Sequence, residues 1–407
     1  KFKDIITMAG RLKYKAAIII AAAIAAAALI YFCFLRSPEI VLDEPADVTL
    51  WYSENSMSDG IHEMLDRFST ESEAGQKITV TAIAFESMTE LANAVNAAAV
   101  NSGELPDVVL CSSDIAAGFY NKGLLADMEQ YRRQWDTVKC DSGIIKSCTT
   151  GDTLVCIPLA WESEVLIVNR ELYPDEEQPA SFEKLCAAAN EYYRENRSSF
   201  FTISDYSMFF RCAMAQLGER FRAENPFDSE NENLRYIYDR LATAAFRRGF
   251  TAAEKDPAAL VAEGELACAV ISSSQAMDAL KKGADMSNTE FISVPRMEKG
   301  NSVYACDVLG LCILKSDENT EKGAAVFIKW FSSEEISSAY VGFSGFVPIG
   351  AGADSAVSVT EPPVLWSRLM SVVCSQGCRY FDADSEYAAN RWDFDDTLAN
   401  IMENSLG

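Results

Sequence analysis

The first part of the chain alternates between the two-residue period of a β-strand and the longer hydrophobic period of a helix. Residues 47–52 alternate as a strand. The helix pattern that follows places apolar residues at i, i+3, i+4 and i+7, namely Ile61, Met64, Leu65 and Phe68. The same order recurs twice more along the chain. Strands that alternate with helices at this spacing form βαβ units, so the sequence predicts a mostly parallel sheet covered on both faces.

The hydrophobic pattern also divides the later part of the chain. Helices dominate residues 181–248, and Ser181 is a natural N-cap for the first of them. Ser181 also begins an S-x-x-K sequence, but the chain has no S-D-N or K-T-G partner motif, so we expect capping rather than catalysis. Further strands are predicted at residues 154–158, 165–168, 267–271, 291–294 and 308–314. The last helices are predicted at residues 322–331, 365–373 and 394–404.

Residues 16–35 form an unbroken apolar run without charge, Gly or Pro. A helix of this length spans roughly 30 Å, the thickness of a bilayer core. Basic residues precede the run and acidic residues follow it, which predicts a cytoplasmic basic segment at residues 1–15 and a linker at residues 36–46. The run exceeds the roughly 7–15 residues of a signal-peptide core, so we favour an uncleaved transmembrane anchor with the rest of the chain outside the cell membrane. A cleaved signal or lipidation at Cys33 is the alternative.

Acidic residues outnumber basic ones, with 60 Asp and Glu against 35 Lys and Arg and a formal charge of −25. After residue 36 the balance is 59 against 29, so the predicted exported part is more acidic than the whole. Affinity for nucleic acid comes mainly from cations that neutralise phosphates, so we expect no nucleic-acid partner. The single histidine, His62, excludes His-rich zinc sites and the zincin motif. We expect neither a metal nor a cofactor.

Twelve cysteines are many for an exported protein. Four lie inside apolar strand-like runs and are predicted to be small buried hydrophobic residues: Cys111, Cys156, Cys268 and Cys312. The spacings within the pairs Cys140/Cys148 and Cys374/Cys378 would also allow short disulfide-closed loops. No C-x-x-C pair is present, so neither a zinc ribbon nor a thioredoxin-type redox site is supported.

Short motifs occur in a characteristic order from about residue 46 to the end of the chain. Residues 106–114 combine a strand with a polar loop, and residues 118–127 end a helix on a G-x-L turn. Residues 157–172 run from Ile-Pro-Leu to Asn-Arg-Glu-Leu, and residues 343–348 contain Gly-Phe-Val-Pro. In this order the motifs resemble those of the extracellular solute-binding proteins of ABC importers, specifically the carbohydrate-binding group.

The resemblance implies an α/β fold of the type II periplasmic-binding-protein-like kind, with two lobes joined by a hinge around a central cleft. Lobe 1 would comprise residues 47–158 and 304–345, and lobe 2 residues 159–303 and 346–407. It also implies that the lobes close on a small ligand, a mono- or oligosaccharide, and deliver it to the permease subunits of an ABC importer. The implied activity is binding without chemistry, so we do not expect an enzyme.

Sugar recognition combines aromatic rings, which stack on apolar sugar faces, with polar side chains that bind hydroxyl groups. Open α/β sheets bind ligands at the ends of their strands. Strand-end placement and the family resemblance together suggest these ligand-binding candidates: Trp51, Asn55, Ser56, Asp114, Trp161, Glu162, Asp205, Tyr206, Phe209, Ser274, Asp307 and Trp366. Structural roles stay open for several of them, such as core packing for Trp51 and helix capping for Asp114.

The chain departs from the family pattern at several candidate positions. Asn55 and Ser56 are neutral where the maltose-binding member has a charged pair, and Cys111 replaces a stacking Trp. Maltose itself is therefore not the expected ligand. Three alternatives stay open: a ligand-sensing ectodomain without transport, a polyamine-binding protein that the acidic composition would suit, and a glycoside-active enzyme.

Overall fold

The computed structural model describes residues 40–54, 57–101, 103–135, 140–174, 179–252, 256–342, 344–349, 364–376, 378–379 and 383–404. The predicted cytoplasmic segment, the predicted anchor at residues 16–35, Cys33, Asn55 and Ser56 lie outside these ranges. Within them, no helix combines the length and the apolar character needed to cross a bilayer. The chain from Leu42 onward forms one compact unit.

Three strand–helix units begin the fold, as the hydrophobic spacing predicted. The prediction of a mostly parallel sheet is wrong, because two long strands later in the chain pair antiparallel with their neighbours. Strands β1 (Ala46–Ser53), β2 (Ile78–Phe85) and β3 (Val108–Ser112) are followed by helices α1 (Ile61–Glu71), α2 (Met88–Val100) and α3 (Ser113–Asn121), respectively. β1 pairs in parallel with both β2 and β3. Met64 and Phe68 of α1 are buried, as the predicted apolar face requires.

A long strand, β6 (Ile157–Asn169), connects two parts of the sheet. It follows helix α4 (Ser142–Ser147) and a hairpin of β4 (Thr149–Thr150) and β5 (Thr153–Leu154). The prediction of two separate strands at 154–158 and 165–168 is wrong, because the polar stretch between them is also paired. Strands on both sides bond its backbone, an arrangement that local polarity does not reveal.

Helices dominate the next segment, as predicted, around a short strand, β7 (Phe201–Ile203), that the pattern did not reveal. The helices are α5 (Phe182–Asn196), α6 (Tyr206–Gln216), α7 (Glu232–Phe246), α8 (Pro257–Ala262) and α9 (Ser273–Lys281). Ser181 accepts a hydrogen bond from the Lys184 N–H, which confirms the predicted N-cap. Strands β8 (Cys268–Ser272) and β9 (Thr289–Ile292) lie close to their predicted positions.

The chain then returns to the first strands through β10 (Tyr304–Ile313). Helices α10 (Glu318–Phe331) and α11 (Glu334–Val341), strand β11 (Val347–Pro348), helix α12 (Val364–Ser375), strand β12 (Cys378–Arg379) and helix α13 (Ser385–Asn404) complete the described fold. α13 begins nine residues before its predicted start at 394. It packs against α3 and α6, so one helix contacts elements from distant parts of the chain.

The main sheet has the strand order β2-β1-β3-β10-β6-β8-β7, and β9 and β11 also pair with β6. We call β1, β2, β3 and β10 the first half-sheet, and β7, β8 and β9 the second half-sheet. Residues 157–163 of β6 pair with β10, whereas residues 164–169 pair with β8 and β9. The strand partner therefore changes in the middle of β6.

The cysteines in the strands are buried, as predicted for Cys111, Cys156, Cys268 and Cys312. The thiols of Cys111, Cys156 and Cys312 lie in one cluster with that of Cys148. Burial raises the pKa of the Cys268 thiol well above its ordinary value. Cys140 and Cys148 are free thiols, so the disulfide that their spacing allowed is absent.

Candidate functional site

A cavity of about 370 Å³ opens where β6 changes its strand partner. Its walls come from both half-sheets, at the carboxyl ends of β1, β2, β7 and β8 and from the middle of β6 and β10. α13 supplies a further wall. Open α/β sheets bind ligands at this kind of position, where strand ends leave polar backbone and side chains exposed.

Two glutamates of β6 point into the cavity. Glu162 and Glu164 are two residues apart and therefore lie on the same face of the strand. Asp307 of β10 is directly opposite Glu162, and Ser272 of β8 is directly opposite Glu164. Carboxyl groups placed across from each other repel, so the Glu162–Asp307 pair does not stabilise the sheet. Such a pairing is typical of a position selected for binding rather than for packing.

Glu162 is held by the start of α9. The Ser274 N–H donates to Glu162 Oε2 at 3.4 Å, and the same serine also lines the cavity. Burial is the main influence on this carboxyl group, and it raises the pKa of Glu162 to about 7. The hydrogen bonds from Ser274 and Ser272 work in the opposite direction because they favour the ionised form.

Glu164 is only 4% exposed, and neither carboxylate oxygen has a hydrogen-bond partner among the described residues. Gln376 donates to the Glu164 backbone carbonyl and leaves the side chain without a donor. Burial, followed by the nearby charges of Asp205 and Asp307, raises the pKa of Glu164 well above its ordinary value. The side chain is therefore an acceptor in the cavity without a donor.

Arg391 of α13 neutralises two of the cavity carboxylates. Its guanidinium lies 2.7 Å from Asp205 Oδ2 and 3.3 Å from Asp307 Oδ2. Asp205 also caps α6, because its Oδ1 accepts from the Met208 N–H at 2.7 Å. Asp395, four residues after Arg391, accepts from the Ser207 N–H at 2.7 Å, and burial raises the pKa of Asp395 to about 8.

Asp114 does not line this cavity. Its carboxylate forms a buried ion pair with Arg211 at 2.8 Å and accepts a hydrogen bond from the Asp384 N–H at 2.6 Å. The Arg211 guanidinium also lies 4.1 Å from the centre of the Tyr387 ring. These contacts join α3, α6 and the start of α13, so the structure assigns Asp114 a part in holding these helices together.

Of the twelve predicted residues, Glu162, Asp205, Ser274 and Asp307 line the cavity together. The predicted aromatic residues do not line it: Trp161 and Trp366 are buried, and Tyr206 and Phe209 belong to the core of the second half-sheet. Trp51 packs on Phe85 with ring centres 5.0 Å apart. The prediction also placed Asp307 before the returning strand, whereas it lies within β10.

Sequence reasoning missed several residues of the cavity, above all Glu164, Arg391, Trp392 and Asp395. Trp392 is half-buried and, with Phe346, supplies the aromatic surface that the strand-end candidates do not. One signal was available, since Trp392 interrupts a polar stretch next to a basic residue. The family resemblance predicted ligand contacts in loops after strands and none in the helix near the end of the chain.

Residues 63–365 match the model of the bacterial extracellular solute-binding protein family. The chain belongs to this family. It is therefore an extracytoplasmic binding protein and not an enzyme, and its mixed α/β fold is of the periplasmic-binding-protein kind. No curated protein sequence matches the chain.

Several solved structures of solute-binding proteins share the fold. The GacH receptor of Streptomyces glaucescens, solved unliganded and with acarbose, is 18% identical, with 89% of this chain and 94% of that chain covered and a TM-score of 0.71. UgpB from Mycobacterium tuberculosis, bound to glycerophosphocholine, is 17% identical, with coverage of 89% and 96% and a TM-score of 0.71. Maltose-bound MalE3 of T. maritima is 14% identical, with coverage of 89% and 94% and a TM-score of 0.69. At such identities the likeness establishes the fold alone.

Proposed function

We propose that this protein captures a small solute, a mono- or oligosaccharide, in the cavity at β6 and delivers it to the permease of an ABC importer. The observation that carries the proposal is the cavity itself, where carboxylates from both half-sheets face a half-buried Trp392. Acidic acceptors beside an aromatic ring are what sugar hydroxyls and C–H faces require. Acarbose and maltose, bound by proteins of the same fold, support a saccharide ligand.

The two predicted lobes, residues 47–158 with 304–345 and residues 159–303 with 346–407, close on the ligand by bending at their connections. β6 is the central connection, and β11 pairs beside it at Trp161 and Ala160. Closure would bring Glu54 and Glu86 of the first half-sheet toward the second half-sheet. Residues 16–35 hold the protein in the cell membrane, a role supported by their length and by the basic residues before them.

Calorimetry of the full chain in neutral detergent against a panel of mono- and oligosaccharides tests the proposal. We expect at least one sugar to bind and to reduce the radius of gyration in X-ray scattering. Trp392→Ala should weaken that binding by about fivefold, because the stacking of an aromatic ring contributes on the order of 1 kcal/mol. Trp330→Ala, a change in a helix away from the cavity, is the control. Absence of binding across the panel, with no change in scattering, would refute the proposed function.

A further inference from the structure

The described lining of the cavity is strongly unbalanced in charge. It contains one cationic side chain, that of Arg391, and seven carboxyl groups: Glu54, Glu86, Glu162, Glu164, Asp205, Asp307 and Asp395. Arg391 is occupied by its ion pairs with Asp205 and Asp307. None of the other five carboxyl groups forms an ion pair with a cation among the described lining residues, although the charge of Arg391 also lowers the pKa of Asp395.

Backbone N–H groups at the starts of two helices stabilise some of these carboxylates, but none of them donates to Glu164. The Met208 and Ser207 N–H groups of α6 bind Asp205 and Asp395, and the Ser274 N–H of α9 binds Glu162. Helix N-termini stabilise carboxylates in this way. Glu164 is more deeply buried than these three groups and receives no donor among the described residues. A buried acceptor without a partner is unfavourable, so the missing donor is expected from the ligand.

The chemistry of these groups selects the kind of donor. A hydroxyl group offers one hydrogen and no charge, whereas a protonated amine offers up to three hydrogens and a positive charge. A bare metal ion is a poorer fit, because among the described residues no three His, Cys, Asp or Glu side chains are arranged to hold one. The cavity of about 370 Å³ also exceeds what a single ion needs.

We propose that the ligand of this cavity carries a protonated amine, which Glu164 and Glu162 bind from β6 and Asp395 binds from α13. The inference rests on the proposed binding function and narrows its ligand class. An amino sugar and a linear polyamine share this chemistry. In either case the amine supplies both the donor that Glu164 lacks and the positive charge that the lining lacks.

Calorimetry of the full chain in neutral detergent, with matched probes, tests the inference. The glucosamine disaccharide and its N-acetylated form have the same ring framework but differ in charge; spermidine represents the polyamines, and cellobiose is the neutral reference. We expect an amine-bearing probe to bind at least tenfold more tightly than its neutral counterpart. Glu164→Gln should weaken that binding tenfold or more, whereas Glu104→Gln, an exposed change far from the cavity, should not. Thermal unfolding of both variants would establish that each is folded.

The possible outcomes separate the two proposals. Tight binding of spermidine alone supports the amine and refutes the saccharide. Tight binding of the glucosamine disaccharide, lost on acetylation, supports both. Binding of cellobiose or the acetylated sugar at equal strength, unaffected by Glu164→Gln, refutes the amine and leaves the saccharide standing. If no probe binds, both proposals fail.

Discussion

Glu162 and Glu164 lie two residues apart on one face of β6, yet their surroundings differ. Glu162 accepts a hydrogen bond from the Ser274 N–H, whereas neither carboxylate oxygen of Glu164 has a partner among the described residues. Burial and the charge of Asp307 raise the pKa of both groups, and that of Glu164 is also raised by Asp205. In the empty cavity Glu164 therefore favours its neutral, protonated form, and a cation would be needed to stabilise the ionised form.

This contrast predicts that Glu164→Gln stabilises the unliganded protein at alkaline pH. A raised folded pKa means that Glu164 contributes most favourably below its unfolded pKa and progressively less as the pH rises. Gln resembles the protonated acid, so the variant should exceed wild type by about 1–3 kcal/mol at pH 8 and by little at pH 4.5. Urea unfolding at both pH values measures the difference, with Glu104→Gln as control. A gain that is the same at both pH values would contradict the assignment.

Helix α13 shows why some elements follow from the sequence and others do not. The helices whose apolar residues recur regularly, such as α1 and α12, match their predicted positions. The first turns of α13 are mostly polar, since Glu386 is exposed and Arg391 lines the charged cavity, so the pattern predicts a start at 394. The prediction divided β6 into two strands for a similar reason, because the central residues of β6 include the polar Glu162 and Glu164. In both elements, some of the polar residues that interrupt the hydrophobic pattern also line the cavity.

The position of α13 depends on Arg391, which predicts a large loss of stability in Arg391→Met. The guanidinium is 9% exposed and pairs with Asp205 and Asp307. Its removal leaves Asp205 without this cation and leaves Asp307 with the longer 3.7 Å contact to Arg211. Breaking a buried pair of this kind costs about 3–5 kcal/mol. Arg235→Met, a change at an exposed position of α7, is the matched control for chemical denaturation.

The double variant Arg391→Met/Asp205→Asn refines this prediction. Removing the charge of Asp205, which lost its cation, should recover part of the loss, because Arg391 and Asp205 form one network. A loss below about 1 kcal/mol in Arg391→Met, or no recovery in the double variant, would show that the ion pairs do not position α13.

At the scale of the whole molecule, composition indicated an acidic protein but not where the charge lies. A solvent-exposed acidic surface is the common arrangement, and the sequence gives no means of separating Glu164, which is buried, from Glu104, which is exposed. The cavity gathers carboxylates from β1, β2, β6, β10 and two helices, so only tertiary structure brings them together. Glu162, Asp205 and Ser274 could be proposed from the sequence because they lie in β6 or at the start of a helix. Asp307 was proposed as a residue before a strand, although it lies within β10. The aromatic candidates were misplaced because core packing and ring stacking on a ligand look alike in a sequence.

This concentration of carboxyl groups predicts that the stability of the whole protein falls as the pH rises from 5 to 7. Burial raises the pKa of Glu162 to about 7 and that of Asp395 to about 8, whereas both groups ionise near pH 4 in an unfolded chain. The folded state therefore holds protons that the unfolded state has released. Each such proton lowers the free energy of unfolding by about 1.4 kcal/mol per pH unit, so for these two groups we expect a total decrease of about 5 kcal/mol.

Other charged groups set the limits of this pH window. Asp205 and Asp307 raise the pKa values of their neighbours and Arg391 lowers them, while groups with lowered pKa values, such as Asp317, act below pH 5. Urea unfolding between pH 5 and 7 measures the slope, which the double variant Glu162→Gln/Asp395→Asn should flatten. Stability that is constant or increases over this interval in the wild type would mean that the cavity carboxyl groups are ionised without a ligand. Addition of an amine that binds the cavity should flatten the slope in the same way, since a bound cation favours the ionised carboxylates and removes the difference in protonation between the folded and unfolded states.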